Sequence, residues 1–418
     1  MKKQKKAKME KQVVSLIEET ANSTETESAS FRILFLTIPL CAIPAFSTDT
    51  YLPAIPDICQ HFGTSVTNAN LTIVLFTAIL SISTLFWGPL SDKYGRKPIL
   101  LVGLAIYCIS SAFCAFSVTI NQLILFRVVQ AIGGGASSVV SFAILKDVFR
   151  SRQREKAIAI LGVVMTLAPI LAPSIGSQIL LFSSWRGIFV FLTILGGMAW
   201  FACLVMKETN TVRQARTVVQ SLGRLYIVAK NMRLFKLLIV FSVMSWPLFM
   251  FIGAAPAILM MHYGVSQQTF SMFFAINALC LGVGPMLYLH LSRFALRKNI
   301  VAACFILVSL SGILIVLFGS FGPIPFLLSS MVATMGMSVS RTPGLNMMME
   351  QQKHDAGVVS SLMTCGFGLF GSVGMMIASM DWGNRIQAVG IVYLILGIFC
   401  LAVWFIKVSK TVESTQTT

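Results

Sequence analysis

The chain has 418 residues, 56% of them hydrophobic and only 11% charged, with a mean hydropathy of +0.82. This excludes a soluble domain and leaves a polytopic membrane protein. A formal charge of +17 raises nucleic-acid binding, in which Lys and Arg release counterions from phosphates, but its placement along the chain assigns it to membrane topology instead.

The first thirty residues begin like the basic region of a signal peptide, yet Glu18 and Glu19 stand where the apolar core should come next. Residues 1–30 therefore read as a cytoplasmic basic tail, with contact to anionic lipid as the alternative. Twelve apolar runs come after it, each about 20 residues long and so able to cross a hydrocarbon core of about 30 Å. Their expected bounds are 31–53, 68–90, 98–117, 121–145, 156–182 and 186–206, then 236–261, 268–291, 299–318, 323–349, 356–380 and 386–407. A basic connector, 207–235, separates an N-terminal six-helix bundle (31–206) from a C-terminal one (236–407), and 408–418 is a second cytoplasmic tail. Alternate connections, counted with the tails, carry 28 Lys and Arg, whereas the other set holds only Arg186 and Arg385. That asymmetry places both termini in the cytoplasm.

The first span ends in "STDTYLPAIPD" (47–57), which puts Asp49 inside an apolar run. An ionised Asp at the bilayer centre costs about 2.5–3.5 kcal/mol on insertion scales, so it faces water, finds a partner or takes a proton. Pro53 and Pro56 end or kink the helix just beyond it. Two readings are open: an acid at an aqueous interface, or a protonatable group reached alternately from the two sides.

The second span runs into "GPLSDKYGRKPIL" (88–100), the fourth contains "LFRVVQAIGGGA" (125–136), and the fifth contains "LAPILAPSIG" (167–176). The first of these resembles the signature loop of the major facilitator superfamily at Gly88, Asp92, Gly95, Arg96 and Lys97. The second resembles the span 4 motif that carries an arginine, here Arg127, although Ala131 replaces the usual glycine after Gln130. The third resembles the antiporter motif of drug exporters, with Gly162, Pro169, Pro173 and Gly176 as its small and helix-bending residues. The opening stretch is similar to the first span of the bicyclomycin and chloramphenicol resistance branch.

The resemblance implies an all-α membrane protein of twelve helices in two pseudo-symmetric six-helix bundles. It also implies proton-coupled efflux of small hydrophobic or amphipathic compounds by alternating access, in a bacterial inner membrane. Export or import of a specific metabolite or siderophore is the alternative. Asp49 is then the proton carrier, and Arg127 either its counter-charge or a structural cation. Asp92, with Gly88, Gly95, Arg96 and Lys97, forms a gate at the cytoplasmic side, its acid reaching the ends of neighbouring helices.

In the C-terminal half "SVSRTPGLNMMME" (338–350) carries Arg341, which either snorkels to the cytoplasmic surface or lines the cavity and suits an anionic or zwitterionic substrate. Glu350 and Asp355 flank the cytoplasmic mouth. Tyr51, Gln130, Trp246, Asn277, Arg341 and Asn346 are the candidate cavity residues. Trp185, Trp382 and Trp404 read as interfacial anchors. Nine scattered Cys, of which only Cys59 is expected to face outward, and four isolated His imply no disulfide framework, metal or cofactor. No P-loop or nucleophile elbow is visible, so the chain is no enzyme. The expected partners are a small-molecule substrate, protons and the lipid bilayer, with the chain a monomer.

Overall fold

The computed structural model describes residues 34–149, 151–210, 218–352 and 356–408. The N-terminal tail with the first three residues of the expected first span, the C-terminal tail from 409 on, the middle of the connector and Asp355 lie outside the described residues. Helices α1 (34–49), α2 (Ile55–Phe62), α3 (Val66–Tyr94), α4 (Arg96–Ala115), α5 (Ile120–Val148), α6 (Ser151–Phe182) and α7 (Trp185–Val205) make the first half. A connector helix, α8 (Val218–Ala229), leads to the second half. It comprises α9 (Met232–Val243), α10 (Trp246–Ala255), α11 (Gln267–Leu291), α12 (Arg297–Phe318), α13 (Pro323–Glu350), α14 (Ala356–Ser379) and α15 (Arg385–Val403). Among the described residues, eleven helical spans are long and apolar enough to cross a membrane, and α1 with α2 supplies the twelfth.

Several helix starts carry the residue that an unpaired backbone N–H requires. Ser65, Thr119, Ser184, Ser266 and Asn384 each accept from a backbone N–H in the first turn of α3, α5, α7, α11 and α15. All five starts lie at one end of the molecule, the neutral end. The opposite, basic end holds Lys93, Arg96, Lys146, Arg154, Lys207, Arg297 and Lys298.

The two halves repeat one packing scheme. In the first, α4 packs on α5 and α7, and α3 on α5; in the second, α12 packs on α13 and α15, and α11 on α13. Contacts between the halves repeat as well, α3 against α14 and α11 against α6. Small residues permit these approaches: Gly133 lies on the backbone of Gly103 and Tyr107, and Gly312 on that of Gly390 and Leu394.

The first spans of both halves are broken, and in the first of them the expected bound changes. The run expected to end at 53 turns at Thr50–Tyr51, makes a 3₁₀ turn over Leu52–Ala54 and continues as α2 to Phe62. Pro53 and Pro56 each occupy a first-turn position of their own short helix, where a missing N–H costs nothing, so they kink the span without ending it. The seventh span breaks between α9 and α10, with Pro247 again in the first turn, and closes in a π-helical segment, Pro256–His262. The remaining expected spans agree with the helices to within about five residues.

Candidate functional site

Hydrogen bonds between the halves cluster at the neutral end. Asn70 of α3 donates through Nδ2 to the Gly253 carbonyl (2.8 Å) and to Ser379 Oγ (2.9 Å), and Thr67 donates to the Ser379 carbonyl (2.6 Å). Gln267 donates to Asp57 (3.0 Å), and Ser271 of α11 to the carbonyl of Pro173 in α6 (2.8 Å). The molecule is therefore stitched shut at one end by polar side chains working largely on backbone carbonyls.

Asp49 lies just inside this closure. Continuation of the chain through α2 sets it well below the neutral surface. Its neighbour Tyr51 accepts from Thr72 of α3, about 9 Å along that helix from its start. The Asp49 side chain is 5% exposed and accepts from Thr48 Oγ1 at 3.0 Å. Thr50, next in the chain, presents its carbonyl to Gly176 of α6, and any side chain at 176 would collide with that backbone.

Arg127 is brought near α1 but not to Asp49; among the described residues no ion pair joins the two. Its guanidinium, fully buried, sits 4.1 Å from the Phe76 ring centroid, 5.1 Å from that of Tyr51 and 5.8 Å from that of Phe189. Nη1 donates to Gln130 Oε1 at 2.7 Å, and Gln130 donates to Ser111 Oγ at 2.6 Å. Nε and Nη2 are enclosed with no hydrogen-bond partner among the described residues. An aromatic box with one amide anchor holds this cation in place. Tyr51 and Gln130, expected in the cavity, are walls and anchor of that box, both fully buried.

The 88–97 loop forms a closed network within the first half. Arg96 pairs with Asp92 (2.6 Å) and with Asp147 of α5 (2.8 Å), and donates to Ser91 Oγ (2.7 Å). Asp92 thus contacts α4 rather than the second half in this conformation. Sequence reasoning missed Glu208, just past α7, whose two oxygens accept the Arg96 and Lys97 backbone N–H groups at 2.9 and 3.1 Å. Burial alone would raise its pKa, but the N–H groups of Asn210, Arg96, Lys97 and Thr209 outweigh this and hold the carboxyl below its ordinary value of 4.5. Gly95 adopts φ +105°, and a Cβ there would come to 2.5 Å from Glu208 Oε2, so the glycine serves both conformation and clamp. Lys97 donates to the Leu204 carbonyl, while Gly88 has only ordinary contact distance to Val139. In α6, Pro169 and Pro173 lie inside the helix and Gly162 faces open space.

In the second half Trp246 opens α10, its ring against Gly374, with Nε1 enclosed and without a hydrogen-bond partner among the described residues. Asn277 is buried, its Oδ1 without a hydrogen-bond partner among the described residues, and Asn346 is half-buried. Arg341 is solvent-exposed although helices surround it, and its guanidinium lies 4.6 Å from the Phe367 ring centroid. Asn70 had no motif to mark it; a lone Asn in a span was its only signal. Two of the three expected interfacial tryptophans are core residues instead. Trp185 packs on His61, Phe62 and Phe189, and Trp404 on Phe241 and Phe305, because both rings face neighbouring helices; Trp382 is exposed. Cys59, expected to face outward, is buried.

The sequence model of the family described as Major Facilitator Superfamily matches residues 39–375. A relative named an uncharacterized MFS-type transporter, YdgK of Bacillus subtilis (strain 168), is 30% identical over 353 residues, covering 82% of this chain and 87% of that one. A chloramphenicol resistance protein of Pseudomonas aeruginosa is 25% identical over 381 residues, 88% and 90% of the two chains. Among solved structures, a bacterial homologue of the human lysosomal transporter Spinster, in an inward-facing and occupied conformation, superposes with a TM-score of 0.73. That match has 17% identity and covers 92% of this chain and 98% of that one.

Proposed function

The chain belongs to the major facilitator superfamily, and on that premise we propose that it exports small hydrophobic or amphipathic compounds in exchange for protons, by alternating access. It is a multi-pass membrane transporter and not an enzyme. Support for drug export comes from the chloramphenicol resistance relative. The observation that carries proton exchange is Asp49, a nearly sealed carboxylate in the first span, beside the turn that packs on Gly176 of α6.

In this reading the membrane is the bacterial inner membrane and the basic end is cytoplasmic, with both termini there. Residues 31–206 and 236–407 are the two moving bundles about the 207–235 connector, and the chain works as a monomer. The hydrogen-bonded neutral end is then the closed periplasmic gate of an inward-facing state. Substrate enters from the cytoplasm between Trp246, Arg341 and Asn346, with Asn277 buried behind them, and Asp49 releases its proton to that side. Opening the neutral end exposes Asp49 to periplasmic protons and the substrate to release. Tyr51 and Gln130, sealed here, join the lining in the opposite state. The Gly88, Asp92, Gly95, Arg96 and Lys97 network is the cytoplasmic gate. Arg127 supplies a fixed charge to the first half; Gly176 seats α6 on the turn after α1, Pro169 and Pro173 shape that helix, and Gly162 lies on its open side.

Proteoliposomes containing the purified chain test this, with labelled chloramphenicol as probe. A pH gradient is expected to drive its transport, and Asp49→Asn to keep binding while losing the gradient-driven component. Full proton-coupled transport by that variant would overturn the assignment.

A further inference from the structure

Arg341 is a cation held deep in the second half, with no ion pair to any acid among the described residues. Its contact with Phe367, midway along α14, places the guanidinium near mid-depth and away from the basic end that snorkelling would seek. Side chains lean toward the start of their helix, which for α13 is the neutral end, so the backbone favours this direction. The described acids of the second half are engaged elsewhere: Glu350 pairs with Arg297 at 2.8 Å, and Asp381 lies 4.0 Å from Arg385 at the neutral end. Arg341 makes no ion pair or hydrogen bond among the described residues, yet it is exposed while helices surround it. That combination is what a water-filled cavity produces. It contrasts with Arg127, which is walled in by three rings.

The Phe367 ring centroid stands 4.6 Å from the guanidinium carbon, and the guanidinium N–H groups have no hydrogen-bond acceptor among the described residues. The aromatic wall continues to Phe249 of α10, whose ring centroid is 5.7 Å from that of Phe367. A guanidinium edge matches a carboxylate with two parallel hydrogen bonds, and a cavity lined by one sign of charge concentrates the opposite ion. We propose that Arg341, with Phe367 and Phe249, forms a subsite for the carboxylate of planar aromatic acids. This rests on the transporter reading and narrows its substrate class: amphipathic aromatic carboxylates are favoured, and lipophilic cations are disfavoured by the same charge.

The test is equilibrium binding to the purified full-length chain of two flat aromatic probes, nalidixate (an anion) and ethidium (a cation). Arg341→Gln is expected to weaken nalidixate binding at least tenfold and to leave ethidium binding equal or tighter. Arg341→Lys, which keeps charge but loses the fork, falls between. Retained ethidium binding shows that the variants are folded. The subsite is overturned if wild-type protein does not bind nalidixate, if Arg341→Gln leaves it unchanged, or if both probes weaken equally. Binding needs no proton gradient, so failure of gradient-driven transport with Arg341-dependent nalidixate binding intact would sink the antiport reading and leave the subsite standing.

Discussion

Gly176 of α6 rests directly on the backbone carbonyl of Thr50, the residue after Asp49. A glycine of the 167–176 motif is thereby placed against the turn that holds the buried carboxylate, and the same α6 receives the bond from Ser271 across the halves.

Gly176→Ala is accordingly expected to cut transport about tenfold or more, since overpacking a close helix contact costs about 1–3 kcal/mol. Gly162→Ala, in the same helix but facing open space, should retain near wild-type rates. Rates of chloramphenicol transport in proteoliposomes compare the two, and equal effects would show that the Thr50 contact is unimportant.

Substrate should displace a proton from Asp49. Adding chloramphenicol to the purified protein in weak buffer is expected to release close to one proton per site, and Asp49→Asn to release none while still binding. An undiminished signal from the variant would move the chemistry to another group.

The Glu208 clamp on α4 has a definite pH dependence. Its carboxyl is held below its ordinary value, so its contribution to stability is complete above about pH 4.5 and is lost as pH falls through the lower folded value. Glu208→Ala should therefore cost about 1–2 kcal/mol at neutral pH, the worth of hydrogen bonds to a charged, half-exposed group. Thermal unfolding of the two proteins should differ constantly between pH 5 and 8 and converge at strongly acidic pH; a gap that already closes near pH 6 contradicts the clamp.

Asn70→Ala removes two bonds that cross the closed end. At about 0.5–1.5 kcal/mol each, their loss should shift the equilibrium toward opening at that end by about tenfold. Spin-label distances between the neutral ends of α3 and α14 read this shift, with Asn70→Asp as a second variant. An unchanged distance distribution in both would mean that apolar packing holds the gate.

Much of the protein was legible from local composition alone. Partition of an apolar run into a membrane depends on the run itself, and orientation on the charges beside it. Hence twelve spans, two halves, the 88–97 loop and the isolated acid at 49 could all be read along the chain. Proline was the exception, because whether it ends a span or opens a further turn depends on how the next segment packs against distant helices. That is why the first span reaches Phe62 and Asp49 lies deeper than its position in the run suggested.

The partners of the site were decided only by the tertiary structure. Asn70 meets Ser379, Glu208 meets the start of α4, and Gly176 meets Thr50, across separations that no periodicity records. Arg127 and Arg341 are both lone arginines in apolar helices and look equivalent in sequence. One is sealed in aromatic rings and the other open to solvent, because the helices that face them differ. Local chemistry thus set which residues could act, and packing between distant helices set which of them are free to do so.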